Sequence, residues 1–277
     1  MPEERIKAPK MKRFRKNKLA VIALFLLFFM GTVAVFAPFA APHDPDEIRS
    51  TALEAPSVKH FFGTDDFGRD IFSRTIYGAR ISLSVGLVAV SISVIVGFFF
   101  GMISGYFGGF IENFIMRFVD VMLSFPSIFL ILAVQTMLTP NIYNVMVVIG
   151  LTSWMGVARL VRAEVLSVKE RPYIEAARAI GASGPRIMLR HIMPNVIAPV
   201  IVAGTLGMAG AILTESALSF LGLGVQPPLS SWGNMLQDSQ AYLRDAPWMS
   251  LIPGLLILFT VLCIYLVGEG LREEIGR

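Results

Sequence analysis

The sequence predicts an all-α membrane protein with six transmembrane helices and both termini in the cytoplasm. Three observations carry this. The 277 residues are 55% hydrophobic and only 16% charged, against roughly a quarter charged in an average soluble domain. Charge-free stretches recur at lengths that cross a bilayer. The basic residues cluster on alternate sides of those stretches. Mean hydropathy is +0.66. This composition excludes a disordered chain, a fibrous repeat and an ordinary cytoplasmic enzyme. With one cysteine there is no internal disulfide. Three histidines and that cysteine, far apart in sequence, do not suggest a zinc or haem site.

The spans follow from the gaps between charges. Leu19–Pro42 and Ile81–Ile111 carry no charge. Val121–Ala158 is too long for one crossing, and the polar cluster Thr139–Asn144 divides it. That gives helices over 114–138 and 145–163. Ile192–Thr214 and Ala246–Gly268 supply the fifth and sixth. The resulting organisation is a basic N-terminus at 1–18, a first helix at 19–42, an outer loop at 43–80 and a core at 81–277. That core holds five helices and a cytoplasmic segment at 164–193.

Orientation follows from lysine and arginine. The first 18 residues carry eight of them, and Arg159–Arg190 carries seven. Placing both in the cytoplasm puts eighteen basic residues inside and six outside. The outer segment 43–80 is also acidic, with seven Asp and Glu against five basic residues. The basic N-terminus therefore reads as a topology signal that touches anionic lipid rather than nucleic acid. Its apolar stretch is too long for a signal-peptide core and no Ala-x-Ala follows, so a retained first helix is expected.

Within the outer loop, Asp65 or Asp66 is placed to cap a short interfacial helix through Tyr77. Gly97, Gly101 and Gly105, and likewise Gly204, Gly207 and Gly210, form small-residue faces for close helix packing. Arg117 and Asp120 share one face at the inner end of helix three, as a boundary ion pair or an ion-relay candidate. Pro126 should kink that helix. Glu215 near the outer end of helix five is a packing residue or lines a pathway gate. The segment 225–233 has turn chemistry, then a short helix to Tyr242. Trp232 and Trp248 suit a membrane interface.

The most informative stretch is Arg171–Arg186, between helices four and five. Pro172 opens a helix where its missing N–H costs nothing, and Glu175, Ala176 and Ala177 are good helix formers in its first turns. Gly181 can end it at positive φ. A second short helix from Pro185 leads back to the membrane, and Pro194 starts helix five. The product is a small-sided, basic two-helix projection suited to docking in a groove on another protein, with Ala177 facing that groove. A plain amphipathic connector is the alternative.

Glu175-Ala176-Ala177-x-x-x-Gly181, followed by Pro194 at a span, resembles the EAA loop of membrane subunits of bacterial ABC importers. The wider pattern has Ile three residues before that proline and Leu immediately before it; here His191 and Met193 stand there. His191-Ile192-Met193-Pro194-Asn195 resembles the dipeptide/oligopeptide/nickel permease family instead. So do Gly63-Thr64-Asp65-x-x-Gly68-Arg69-Asp70, Gly105-Tyr106-Phe107-Gly108-Gly109, Met116-Arg117-x-x-Asp120, Phe220-Leu221-Gly222-Leu223-Gly224 and Gly268-x-Gly270-Leu271-Arg272. The loop after helix one is similar to that of the C-type subunit. The C-terminal tail is shorter than is usual in the family.

The resemblance implies a type I ABC importer transmembrane architecture in a bacterial or archaeal cell membrane. It implies a homologous B-type permease partner, two ATP-binding subunits and an extracytoplasmic substrate-binding protein. Glu175, Ala176, Ala177, Arg178 and Gly181 would contact an ATPase subunit. Glu215, Arg117 and Asp120 stay as pathway or gate candidates. The implied cargo is di- and oligopeptides, with nickel or a metal chelate as the alternative. The sequence has no Gly-x-x-x-x-Gly-Lys-Ser/Thr loop, so ATP and Mg are expected on the partners, with no cofactor, metal or catalytic residue in this chain. An ion-driven carrier would show an internal repeat and interrupted helices, and an intramembrane enzyme a catalytic motif such as His-Glu-x-x-His. Neither is evident.

Overall fold

The computed structural model describes residues 14–48 and 50–275. Most of the basic segment expected at 1–18 lies outside the described residues. Helix α1 (Lys18–Val35) starts where the Asn17 side chain accepts the Ala20 N–H at 3.1 Å, which satisfies one of the free donors of the first turn. A single turn, α2 (Ala37–Ala40), follows, so the first span ends short of residue 42.

Helix α3 (Ile71–Phe107) is 37 residues long, about 55 Å at 1.5 Å per residue. No separate interfacial helix precedes it among the described residues of the outer loop. Asp65 is spent inside its own loop, accepting the Phe67 and Arg69 N–H groups at 2.9 Å. The cap falls on Asp70, whose Oδ2 accepts the Ser73 N–H at 2.8 Å. The helix therefore starts well before residue 81, and Tyr77 lies inside it.

Helices α4 (Gly109–Leu123) and α5 (Ser127–Thr136) meet at an 84° bend. The kink expected at Pro126 is a break, because the proline ring removes a donor and excludes the helical conformation before it. Helix α6 (Ile142–Lys169) is capped by Asn141 through the Tyr143 N–H at 2.9 Å. After α7 (Pro172–Ala179) and α8 (Gly184–Ile187), one wide turn, Met188–Ile192, runs into α9 (Met193–Phe220). Pro194 does not start a new helix. The wider turn before it absorbs the loss of its N–H, and Asn195 Nδ2 donates to the His191 carbonyl at 2.6 Å. Helices α10 (Trp232–Asp238) and α11 (Trp248–Ile275) complete the described chain, with a 3-10 turn through Tyr242 between them. Five helices are long and apolar enough to cross a membrane, and the bent α4–α5 pair brings the number up to six.

The helix packing is centred on α3. It runs against α6 so closely that a Cβ on Gly97 or Gly101 would stand 2.6 Å from a backbone oxygen of α6. Gly204 and Gly207 of α9 face Val94 and Val90 of α3, whereas Gly210 has nothing within 4 Å. Helix α11 lies between α9 and α1. Phe14 N donates to Glu274 Oε2 at 3.0 Å and Asn17 Nδ2 to Glu273 Oε2 at 3.1 Å. These bonds bring the described ends together. With α4–α5 as one crossing, α7 and α8 lie on that same side.

Candidate functional site

Helix α7 begins with Pro172 at its first turn and ends as the sequence predicts. Gly181 has φ +83°, its N–H donates to Arg178 O at 2.9 Å, and the Ala182 N–H reaches back to Ala177 O at 3.0 Å. This paired closure requires a left-handed residue, which glycine adopts at no steric cost. No atom lies within 4 Å of a Cβ built there, so the requirement is conformational rather than one of space.

The projection is seated by apolar residues. Ile174, Ile187 and Ile192 are fully buried with Val161, Val165 and Val168 of α6 and Val196 of α9. Lys169 Nζ donates to Tyr106 O at 2.8 Å, which ties the ends of α6 and α3. Of the predicted contact residues, Glu175, Ala176, Arg178 and Gly181 are exposed. Ala177 is not: it is 8% exposed. Mostly buried, it still lines the wall of the cleft that runs beside α7.

Beside α7 runs an open cleft of about 600 Å³, lined by Tyr173, Ala176, Ala177, Ile180, Arg186 and Arg190 among others. Tyr173 and Ile180 were missed from sequence. Ile180 is 86% exposed, a large apolar side chain at the tip of the projection. The signal was available: residues 173, 176, 177 and 180 have the i, i+3, i+4, i+7 spacing of one helix face.

Arg117 and Asp120 do not pair with each other. Asp120 binds Arg159 of α6, and Glu112 accepts from Arg162 Nε at 2.6 Å. These two ion pairs fasten α4 to α6.

Glu215 is fully buried. Its Oε1 accepts from Ser219 Oγ at 2.7 Å and its Oε2 from Ser82 Oγ at 3.4 Å. The same hydroxyls take the Val225 N–H at 3.0 Å and the Trp232 N–H at 3.2 Å. Glu215 thus ties α3, α9 and the segment leading into α10. Trp232, expected at a membrane interface, is 0% exposed. Its Nε1 donates to Thr75 O at 3.1 Å, and α10 buries the ring against α3.

At the outer end of α3, Arg74 is 3% exposed. It faces Asp65 at 3.5 Å and Asp238 at 3.6 Å, and so binds the outer loop to α10. Burial pushes the Asp66 carboxyl up, and Asp65 and Asp238 nearby push it the same way. Burial also raises Asp238, against the opposing pull of Arg74 and Arg69.

Five apolar helical crossings, or six with the bent α4–α5 pair, a projecting helix pair on one side and a buttressed loop layer on the other define a multi-pass membrane protein. The chain belongs to the family of binding-protein-dependent transport system inner membrane components, whose model matches residues 97–275, and residues 10–56 match the N-terminal TM domain of oligopeptide transport permease C. It is 44% identical over 265 residues to the dipeptide transport system permease protein DppC of Alkalihalophilus pseudofirmus, covering 95% of this chain and 87% of that one. It is 41% identical over 267 residues to the oligopeptide transport system permease protein OppC of Haemophilus influenzae, covering 95% and 86%. Among solved structures, a chain of the MetNI methionine ABC transporter in inward facing conformations superposes with TM-score 0.61 at 18% identity, over 75% of this chain and 98% of that one. The importer-type transmembrane fold implied by the sequence resemblance is therefore the fold of this chain, as an ABC importer permease of the C-type.

Proposed function

We propose that this chain forms half of the translocation pathway for di- and oligopeptides and couples closure of ATPase subunits to opening of that pathway. Its partners are a homologous B-type permease, two ATP-binding subunits that hold ATP and Mg, and an extracytoplasmic binding protein that delivers the peptide. Both termini and the α7–α8 projection face the cytoplasm. The reading is supported by the peptide transport named for its relatives, by the excess of basic residues on the projection's side, and above all by the projection itself. Ile174 and Ile187 fix it to α6 and α9, so a force on the exposed face of Tyr173, Ala176 and Ile180 reaches two spans at once.

The test is reconstitution of the whole complex. Gly181→Val places a β-branched residue at positive φ, at a cost of about 1–2 kcal/mol, and Ala176→Trp fills the cleft beside α7. Both variants should insert normally, lose ATPase subunits on co-purification and lose transport. Full retention of the ATPase subunits in both would overturn the docking assignment. Stimulation of ATPase activity by binding protein loaded with peptide is expected, and stimulation only by a nickel-loaded one would replace the cargo assignment. A reporter active only in the cytoplasm should work at Ser183 and be silent at Ser57, and the reverse pattern would invert the topology.

A further inference from the structure

Two of the three histidines, separate in sequence, meet in the outer loop. His43 and His60 have ring centroids 5.2 Å apart. With Asp70 they offer three ligand atoms that all lie within 4.8 Å of one another. His60 Nδ1 stands 2.8 Å from Asp70 Oδ1, and both residues are buried. We propose that His43, His60 and Asp70 form a binding site for a resident divalent transition-metal ion of imidazole preference, with zinc as its first occupant.

The supporting contacts are those such a site needs. A ligating histidine is oriented by a partner on its other ring nitrogen, and His60 Nε2 lies 2.7 Å from Ser50 Oγ. A hydroxyl can donate or accept, so Ser50 serves the ring both with a proton on Nδ1 and with an ion there. The second oxygen of Asp70 is held by the Ser73 N–H and Oγ, each at 2.8 Å. The Ser73 hydroxyl also takes the His43 backbone N–H at 3.1 Å. The ion would replace the proton shared by His60 and Asp70, and the half-buried His43 ring would swing in to close the third bond. Two imidazoles and one carboxylate leave a fourth position for water, a set suited to zinc and poor for magnesium or calcium. The site would fasten three points — the chain just after α2, the turn at residue 60 and the start of α3 — in a protein whose single cysteine allows no internal disulfide.

The full chain, purified in detergent without a polyhistidine tag, is titrated with Co2+. One Co2+ per chain with the visible absorption of a low-coordinate site is expected, displaced by equimolar Zn2+ and not by excess Mg2+ or Ca2+. His43→Gln and His60→Gln should each weaken uptake at least about tenfold, the scale of losing a metal contact or its support. His191→Gln, on the opposite side of the membrane, should leave it unchanged. Absence of saturable uptake in the unaltered chain would overturn the proposal without any variant. So would uptake unaffected by His43→Gln, a substitution at a half-buried position where misfolding is not at issue.

Discussion

Gly101→Ala tests whether the α3–α6 seam sets the stability of the core. The added Cβ would stand 2.6 Å from Ala158 O and from Val161 Cβ, and 2.8 Å from Val161 Cγ1. Those separations fall about 0.8 Å short of ordinary contact. The nearest neighbour is backbone, which cannot rotate away, so the two helices must part. They cannot part at one point only, because Gly97 and Gly105 hold the same seam at 2.6 and 2.8 Å. Overpacking of this kind costs about 1–3 kcal/mol, and the better helix propensity of alanine returns up to about 1 kcal/mol. A net loss of about 1–2 kcal/mol lowers Tm by roughly 2–8 °C for a chain of this size. The assay is thermal unfolding of the detergent-purified chain beside Gly31→Ala, where nothing lies within 4 Å of the new methyl and Tm should hold or rise slightly. If Gly101→Ala melts with the unaltered chain, or Gly31→Ala falls as far, the seam does not carry the load assigned to it.

Glu215→Ala should destabilise the outer ends of α3, α9 and α10 together by about 1–3 kcal/mol, because it leaves buried serine hydroxyls without their acceptor. Glu215→Gln, which keeps an acceptor, should retain most of the yield, and equal losses in the two variants would point to the charge instead. For Asp66, burial raises the folded pKa above the unfolded value of about 4. The folded state then binds the proton more tightly, so stability is gained as pH falls through the raised pKa and lost as it rises. Hydrogen exchange in residues 50–70, corrected for intrinsic rate, should show stronger protection near the unfolded value of about 4 than at neutral pH. Asp66→Asn should flatten that dependence and protect the loop at neutral pH; an unchanged profile in the variant would refute the assignment to Asp66.

The spans were legible because a charge inside hydrocarbon is costly, so gaps between charges mark crossings directly. Gly181 and Pro172 were legible for a local reason: their backbone restrictions act within one turn. What escaped was set by distant partners. Asp120 lies three residues from Arg117 and 39 from Arg159, yet it binds Arg159. Trp232 carries the marks of an interface residue, but the docking of α10 on α3 buries it completely. His43 and His60 are separate along the chain and meet only because the outer loop folds back on the start of α3. The same folding back moves the helix cap from Asp65 or Asp66 to Asp70: Asp65 closes the preceding turn and meets Arg74, and only Asp70 is left facing the free N–H groups.

The placement of Ala177 bears most on the proposed coupling. The Glu-Ala-Ala pattern reads from sequence as three contact residues in a row, but a helix cannot present three consecutive side chains to one partner, since each is turned by about 100° from the last. Burial differs along the three. Glu175 and Ala176 are exposed, while Ala177 is mostly buried and lines the cleft together with Tyr173, Ala176 and Ile180. A small residue at 176 and at 177 keeps the cleft open to a partner. At 177, where the side chain is mostly buried, a large residue would also overpack the surroundings. On the proposed reading, Ala176→Trp blocks docking and leaves the chain's stability intact, whereas Ala177→Trp lowers the melting temperature of the isolated chain before any ATPase subunit is added. Equal melting temperatures for the two variants would show that the burial of Ala177 carries no packing load.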